Sequence, residues 1–192
     1  MDKKQLRSRL QRILTQQITG PDKRKKSQQA CQNLVETPEF EAASTVMMYL
    51  AIPDETDVTD AIVYSWQKGK RVVVPKILWQ EKYMVPVQID SLEASPIELA
   101  ISGLRNPVNS KVVGLEEIDL VVAPGLGFDN KGNRLGRGGA YYDRFFADEK
   151  LTAGRCGIAF IEQVVDHIPA TADDKRVDFL VTDAGVTYFN SD

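Results

Sequence analysis

Thr45-Val46-Met47-Met48-Tyr49-Leu50, the helically spaced Val58–Trp66 and Arg71-Val72-Val73-Val74-Pro75 together decide the fold class. The first and last pieces are short, continuous apolar runs, the pattern of strands buried on both faces. Between them Pro53-Asp54-Glu55-Thr56-Asp57 is a polar loop, and Gly69 closes the helix that follows it. Strand, helix and strand at this spacing make a βαβ unit, so the sheet is at least partly parallel.

Toward the N-terminus, Leu6, Leu10, Ile13, Leu14 and Ile18 form one apolar face of a helix over residues 3–19. Gly20-Pro21-Asp22 stops that helix and starts another, predicted through Ser27–Leu34 and ending near Thr37-Pro38. Toward the C-terminus, Tyr83-Met84-Val85-Pro86-Val87 reads as an edge strand, because Pro86 sits badly in a central one. Arg105-Asn106-Pro107 reads as extended loop. Asp119-Leu120-Val121-Val122-Ala123-Pro124 is a further buried strand that runs into a glycine-rich loop. Residues 139–150 read as a helix and Arg155-Cys156-Gly157-Ile158-Ala159-Phe160 as a strand. Phe179-Leu180-Val181-Thr182 and Val186-Thr187-Tyr188-Phe189 flank a hairpin signal at Asp183-Ala184-Gly185. The expectation is one α/β domain over residues 1–192, with a mainly parallel central sheet flanked by helices.

The chain has 192 residues, 43% hydrophobic and 27% charged, which excludes collagen-like and wholly disordered classes. No apolar run approaches the roughly 18 residues a membrane helix needs. The charged start Met1-Asp2-Lys3-Lys4 leads into an amphipathic pattern, so a secretory signal is not expected. Cys31 and Cys156 form no CxxC pair, so a disulfide framework and a cysteine zinc site are not expected, and a reducing cytoplasm is. The single histidine, His167, excludes a multi-histidine metal site and reads as a structural or surface residue. The net charge of −3 hides an asymmetry: residues 1–36 carry nine Lys/Arg and three Asp/Glu on an otherwise acidic body. That segment suits an anion handled near the N-terminus, and equally two solvated helix faces. The acidity of the whole argues against nucleic acid.

Chemistry concentrates in residues 124–144, Pro-Gly-Leu-Gly-Phe-Asp-Asn-Lys-Gly-Asn-Arg-Leu-Gly-Arg-Gly-Gly-Ala-Tyr-Tyr-Asp-Arg, which hold six of the 13 glycines. The stretch follows a strand and precedes a helix, the junction at which open α/β sheets bind ligands. Glycines let backbone amides approach a phosphate, and Arg134 and Arg137 supply charge-assisted hydrogen bonds to its oxygens. Asp143 offers the hard oxygen that magnesium takes alongside phosphate. The loop is neither a Walker A motif nor a dinucleotide fingerprint. A glycine-rich surface loop is the plainer alternative.

Arg134-Leu135-Gly136-Arg137-Gly138-Gly139-Ala140-Tyr141-Tyr142-Asp143-Arg144, preceded by Pro124-Gly125-Leu126-Gly127-Phe128-Asp129, resembles the signature of the 5-formyltetrahydrofolate cyclo-ligases, also called 5,10-methenyltetrahydrofolate synthetases. Lys3, Leu6 and Arg7 resemble the family's N-terminal motif. Tyr49-Leu50 with Asp54-Glu55 resembles its strand and acidic loop, Val72-Val73-Val74-Pro75 its strand ending in proline, and Asp174-Lys175-Arg176-Val177-Asp178 its C-terminal acidic motif. The resemblance implies a magnesium- and ATP-dependent enzyme acting on small molecules, a cytoplasmic monomer without nucleic-acid or membrane partners. In that chemistry ATP phosphorylates the formyl oxygen of 5-formyltetrahydrofolate, N10 attacks the activated carbon, and phosphate leaves.

By the same resemblance Lys3, Lys4, Gln5, Leu6 and Arg7 contact ATP, as do Arg134, Leu135, Gly136, Arg137, Gly138, Gly139, Ala140, Tyr141 and Tyr142. Arg7, Leu50, Glu55, Arg137, Gly138, Gly139, Ala140 and Tyr141 contact the folate. Arg137 and Tyr141 stand at the reacting centre, and Asp143 and Asp174 bind magnesium. Read without the resemblance, these residues have plainer roles. Lys3 and Arg7 are solvated helix residues, Glu55 caps the helix near Val58, Asp174 is a surface carboxylate, Leu50 is core, and so is one of Tyr141 and Tyr142. Ala140 stands where the family commonly has glycine, a methyl group that crowds the backbone if the site needs positive φ. A non-catalytic folate- or nucleotide-binding protein on the same fold is the alternative function.

Overall fold

The computed structural model describes residues 1–92, 97–99, 105–108 and 111–189. Helix α1 (Lys3–Gln16) begins with a capping box: the Asp2 carboxylate accepts from Gln5 N, and the Gln5 side chain accepts from Asp2 N. Helix α2 (Gly20–Val35) starts at the predicted Gly20-Pro21-Asp22 signal and runs through the expected Ser27–Leu34. Pro21 sits in its first turn, where a missing N–H costs nothing. A short helix α3 (Pro38–Ala42) follows, unforeseen from the sequence. Thr37 accepts from Phe40 N at its start, and Phe40 is fully buried.

Strand β1 (Thr45–Met47), helix α4 (Thr59–Gln67) and strand β2 (Arg71–Leu78) are the βαβ unit, with Val46 in register with Val72. β1 is shorter than the predicted run because Tyr49 and Leu50 leave the sheet, and the Tyr49 hydroxyl donates to Thr56 O at 2.7 Å. Strand β3 (Tyr83–Gln88) pairs antiparallel with β2 and lies at the end of the sheet, with Pro86 opposite Pro75. Arg105–Pro107, expected as loop, is a short strand β5 paired with β4 (Ile97–Leu99). Three residues ending in proline carry no alternation to read. The Asn106 side chain anchors β5 by bonding both Ile77 N and Ile77 O on β2.

The chain continues through β6 (Leu120–Ala123), β7 (Gly127–Asp129), β8 (Arg134–Leu135), α5 (Tyr141–Phe146), β9 (Gly154–Ala159), β10 (Val164–Val165), β11 (Phe179–Thr182) and β12 (Gly185–Tyr188). Helix α5 is much shorter than the predicted 139–150. Gly138 and Ala140 have φ of 106° and 51°, which no right-handed helix accommodates, and Asp148 turns the chain by accepting from Lys150 N.

The seven-stranded sheet has the order β12-β11-β9-β6-β1-β2-β3, its five inner strands parallel and its two outer ones antiparallel. Successive strand residues serve opposite faces. Val46, Val72 and Val122 pack with Leu34, Phe40 and Ile62, whereas Met47, Val73 and Val121 pack with Phe145 and Phe146. From β1 the chain first moves outward to β2, then returns to build β6, β9 and β11 on the other side. That reversal between β1 and β6 is the switch point at which such sheets open a crevice. α1 stays off the sheet; its Leu6 and Leu10 pack on Leu135 and Ile168, and its Leu14, with Ile18, on Leu126 and Phe160.

Candidate active site

A cavity of about 400 Å³ lies over the carboxyl ends of β1, β2 and β6. Tyr49 and Leu50 beyond β1, Pro75 and Ile77 on β2, and Pro124 and Gly125 beyond β6 line one part of it. The loop from Arg134 to Asp143 lines another, and Lys3 and Arg7 of α1 a third. Lys3 and Arg7 stand four residues apart, on one helical face. The neighbouring face carries Leu6 and Leu10 into the core, so burial of the leucines aims the two cations. Gly127 permits the docking: a Cβ there would lie 2.5 Å from Leu10 Cδ1.

The loop is braced from within. Asp129 is 1% exposed, and its carboxylate accepts from Lys131 N, Asn133 N, Asn133 Nδ2 and Ile168 N. Those bonds close the turn between β7 and β8 and satisfy a buried charge. Arg7 Nε donates to Gly136 O at 2.9 Å, tying α1 to the glycine-rich stretch.

Three cations facing the cavity are met by acids of the same chain. Lys3 Nζ donates to Asp174, Arg134 Nη2 to Asp143 at 3.2 Å, and Arg137 Nη2 to Asp54 at 2.7 Å. Arg137 Nε also lies 3.5 Å from Glu55 Oε1. Partial burial pushes the Asp174 carboxyl up, but its hydrogen bonds from Lys3 and Thr171 outweigh that and hold it below the ordinary carboxylate range. Glu55 is the reverse case. Burial holds its carboxyl above the ordinary range, against the opposing pull of the Ile52 N–H and Arg137. Nor does Glu55 cap α4, whose first turn is held by Asp57 accepting from Thr59 N. Desolvation also raises the buried hydroxyls of Tyr49 and Tyr142.

The fold thus gathers Lys3, Arg7, Leu50, Glu55, the whole stretch from Arg134 to Asp143, and Asp174 around one cavity. Lys4, Gln5 and Leu6 are not on it: the first two are exposed, and Leu6 is core. His167 is exposed and stands apart. Tyr49, Asp54 and Pro75 entered the sequence reading only as motif residues without a site role, and Ile77 and Met84 were given none. Four of them line the cavity and Asp54 binds Arg137. Tyr49 and Met84 read as core, and nothing in the sequence pairs Asp54 with an arginine 83 residues away. Among the described residues no cluster of three or more His, Cys, Asp or Glu side chains is placed to hold a metal. Of the cavity carboxylates, Asp143 and Asp174 are hard oxygen donors beside the cationic loop that would suit magnesium completed by a substrate phosphate and water.

A mostly parallel sheet with its crevice at the switch point, lined by a cationic glycine-rich loop, is the layout of an α/β enzyme with a small-molecule site suited to an anion. The comparisons with known proteins narrow that class. The model of the 5-formyltetrahydrofolate cyclo-ligase family matches residues 1–183, and the chain belongs to that family. It is 26% identical to the 5-formyltetrahydrofolate cyclo-ligase of Mus musculus, over 92% of this chain and 91% of that one. A probable 5-formyltetrahydrofolate cyclo-ligase of Schizosaccharomyces pombe is 28% identical over 79% and 81% of the two chains. The solved 5,10-methenyltetrahydrofolate synthetase of Aquifex aeolicus superposes with a TM-score of 0.80 at 29% identity, covering 100% of this chain and 95% of that one. Among the described residues no helix is long and apolar enough to cross a membrane.

Proposed function

We propose that this chain converts 5-formyltetrahydrofolate into 5,10-methenyltetrahydrofolate, consuming ATP in the presence of magnesium and releasing ADP and phosphate. What carries the reading is that one cavity joins two kinds of wall. Lys3, Arg7, Arg134, Arg137 and the glycine-rich backbone suit a polyphosphate, whereas Leu50, Pro75, Ile77 and Met84 with Glu55 suit a flat heterocycle bearing N–H groups. Two substrates that exchange a phosphoryl group must meet, and Arg137, bonded to Asp54 and 3.5 Å from Glu55, links the two groups of residues.

Phosphoryl transfer asks a protein for positioning and charge neutralisation rather than covalent help. Lys3, Arg7 and the stretch from Arg134 to Tyr142 hold ATP, and Arg137 and Tyr141 stand at the transfer point. Asp143 and Asp174 are the residues that would hold magnesium, which when bound neutralises phosphate charge. Glu55 accepts from the heterocycle and fixes the folate so that its formyl oxygen faces the nucleotide. Phosphorylation turns that oxygen into a leaving group, N10 attacks the carbon, and phosphate departs. Residues 1–192 act as one cyclo-ligase domain, a cytoplasmic monomer; two unpaired, buried cysteines suit a reducing compartment.

The test is to mix purified protein with 5-formyltetrahydrofolate, ATP and magnesium and follow the near-ultraviolet absorbance of the methenyl product. A rise that needs both ATP and magnesium is expected. Folate binding by calorimetry without any rise would leave a binding protein instead.

A further inference from the structure

Two buried polar atoms in the cavity wall, Arg134 Nε and the Tyr142 hydroxyl, have no hydrogen-bond partner among the described residues. Tyr142 is set between unlike neighbours. The Arg134 guanidinium lies 5.2 Å from its ring centroid, on the side of the phosphate-binding loop. Its hydroxyl lies on the cavity that the Glu55 carboxylate also lines, within the fields of both Glu55 and Arg134. The Tyr49 hydroxyl is already committed to Thr56 O, so it does not serve the cavity in the same way.

A buried hydroxyl without a partner costs stability and is retained where a ligand completes it. Its surroundings select that ligand. A phosphate oxygen beside Glu55 would meet a charge of its own sign. A neutral heterocycle presenting N–H groups next to a carbonyl or ring nitrogen fits both: the carboxylate accepts and the phenol donates. We propose that Tyr142 is a specificity-determining residue of the folate subsite, its hydroxyl donating to an acceptor on the heterocycle edge whose N–H groups Glu55 accepts. This rests on the function proposed above. The ring remains a packing partner of Arg134, so one side chain serves the nucleotide side through its face and the folate side through its hydroxyl.

Tyr142→Phe separates the two, because it removes the oxygen and keeps the ring. By calorimetry the variant should bind 5-formyltetrahydrofolate about 5–10-fold more weakly, the value of one neutral hydrogen bond. ATP affinity should stay within about twofold, and KM for the folate should rise more than kcat falls. Its melting temperature should increase by about 2–4 °C, since an unsatisfied buried hydroxyl is gone. Unchanged folate affinity, or a loss confined to ATP, would overturn the proposal. A lowered melting temperature would do the same, by showing the hydroxyl bonded within the protein. If the unaltered protein binds no 5-formyltetrahydrofolate, the function itself fails; if it binds and Tyr142→Phe binds equally, only this assignment does.

Discussion

Lys3 Nζ donates to both carboxylate oxygens of Asp174, at 2.7 and 2.6 Å, and so joins the first turn of α1 to a segment 171 residues away. The pair couples a cation suited to phosphate with a carboxylate suited to a metal. Under the proposed function, a polyphosphate that took Lys3 would leave Asp174 free to hold magnesium. Both side chains are about one quarter or less exposed, at 26% and 20%, so the bridge itself contributes on the order of 1 kcal/mol. Lys3→Ala should therefore lose about 1 kcal/mol or less in denaturant unfolding. The ATP concentration for half-maximal rate should rise about tenfold. An unchanged ATP dependence would remove Lys3 from the site.

The same bridge sets a pH dependence. The Asp174 carboxyl is held below its ordinary value in the folded protein, so its contribution is present above that ordinary value, near 3.8. It is lost as pH falls further, through the depressed folded-state value. Asp174→Asn should lower the melting temperature at pH 6 by a few degrees, about what 1 kcal/mol produces. As pH falls below the ordinary carboxylate value the gap should shrink toward zero. A constant gap down to the lowest accessible pH would contradict it.

Glu55 has the opposite sign. Its folded-state carboxyl is raised by burial, so its contribution is fully present below the ordinary value, near 4.5, and is lost as pH rises through the folded value. Glu55→Gln should raise the melting temperature at pH 7 by about 2–4 °C. The gain should shrink in acid, while 5-formyltetrahydrofolate binding falls at least about tenfold. Stability and binding measured on one preparation check both.

The βαβ unit, the edge position of β3 and the terminal hairpin were legible because buried strands and turn residues carry local patterns. The cavity was legible in part, as the glycine-rich loop sits at a strand-to-helix junction wherever it occurs. What stayed hidden depends on long-range placement. Asp54 meets Arg137 only because β1 and β6 are neighbours, a sheet order that no local pattern states. Leu6 lies inside a motif with Lys3 and Arg7, yet the helical turn sends it into the core. The brief β5 escaped for lack of periodicity.

Ala140 occupies left-handed backbone, with φ 51° and ψ 26°, as the residue that caps α5. For a residue with a Cβ this conformation costs roughly 1–2 kcal/mol. Glycine would relieve that strain but lose more entropy on folding, by about 0.5–1 kcal/mol. Ala140→Gly should be neutral to about 1 kcal/mol stabilising, whereas Ala140→Val, β-branched at positive φ, should lose more than about 1 kcal/mol. Denaturation midpoints of the pair decide it; equal loss in both would mean that the strain is not carried there.

Gly127 tests whether the docking of α1 and nucleotide binding are one property. A Cβ at this position would stand 2.5 Å from Leu10 Cδ1 and 3.2 Å from Gln163 O. The leucine end can shift, but the carbonyl belongs to backbone whose neighbour Gln163 Nε2 is itself bonded to Gly125 O. Relief must come from α1 moving away from the loop. Gly127→Ala should cost about 1–3 kcal/mol, the usual penalty for overpacking. Because α1 carries Lys3 and Arg7, the same displacement should weaken ATP more than the folate, whose wall at Leu50, Pro75 and Met84 is built from other elements. Paired calorimetric titrations, with a melting curve on each sample, distinguish this from general loosening. Equal weakening of both ligands would mean that α1 is only a stabilising cover.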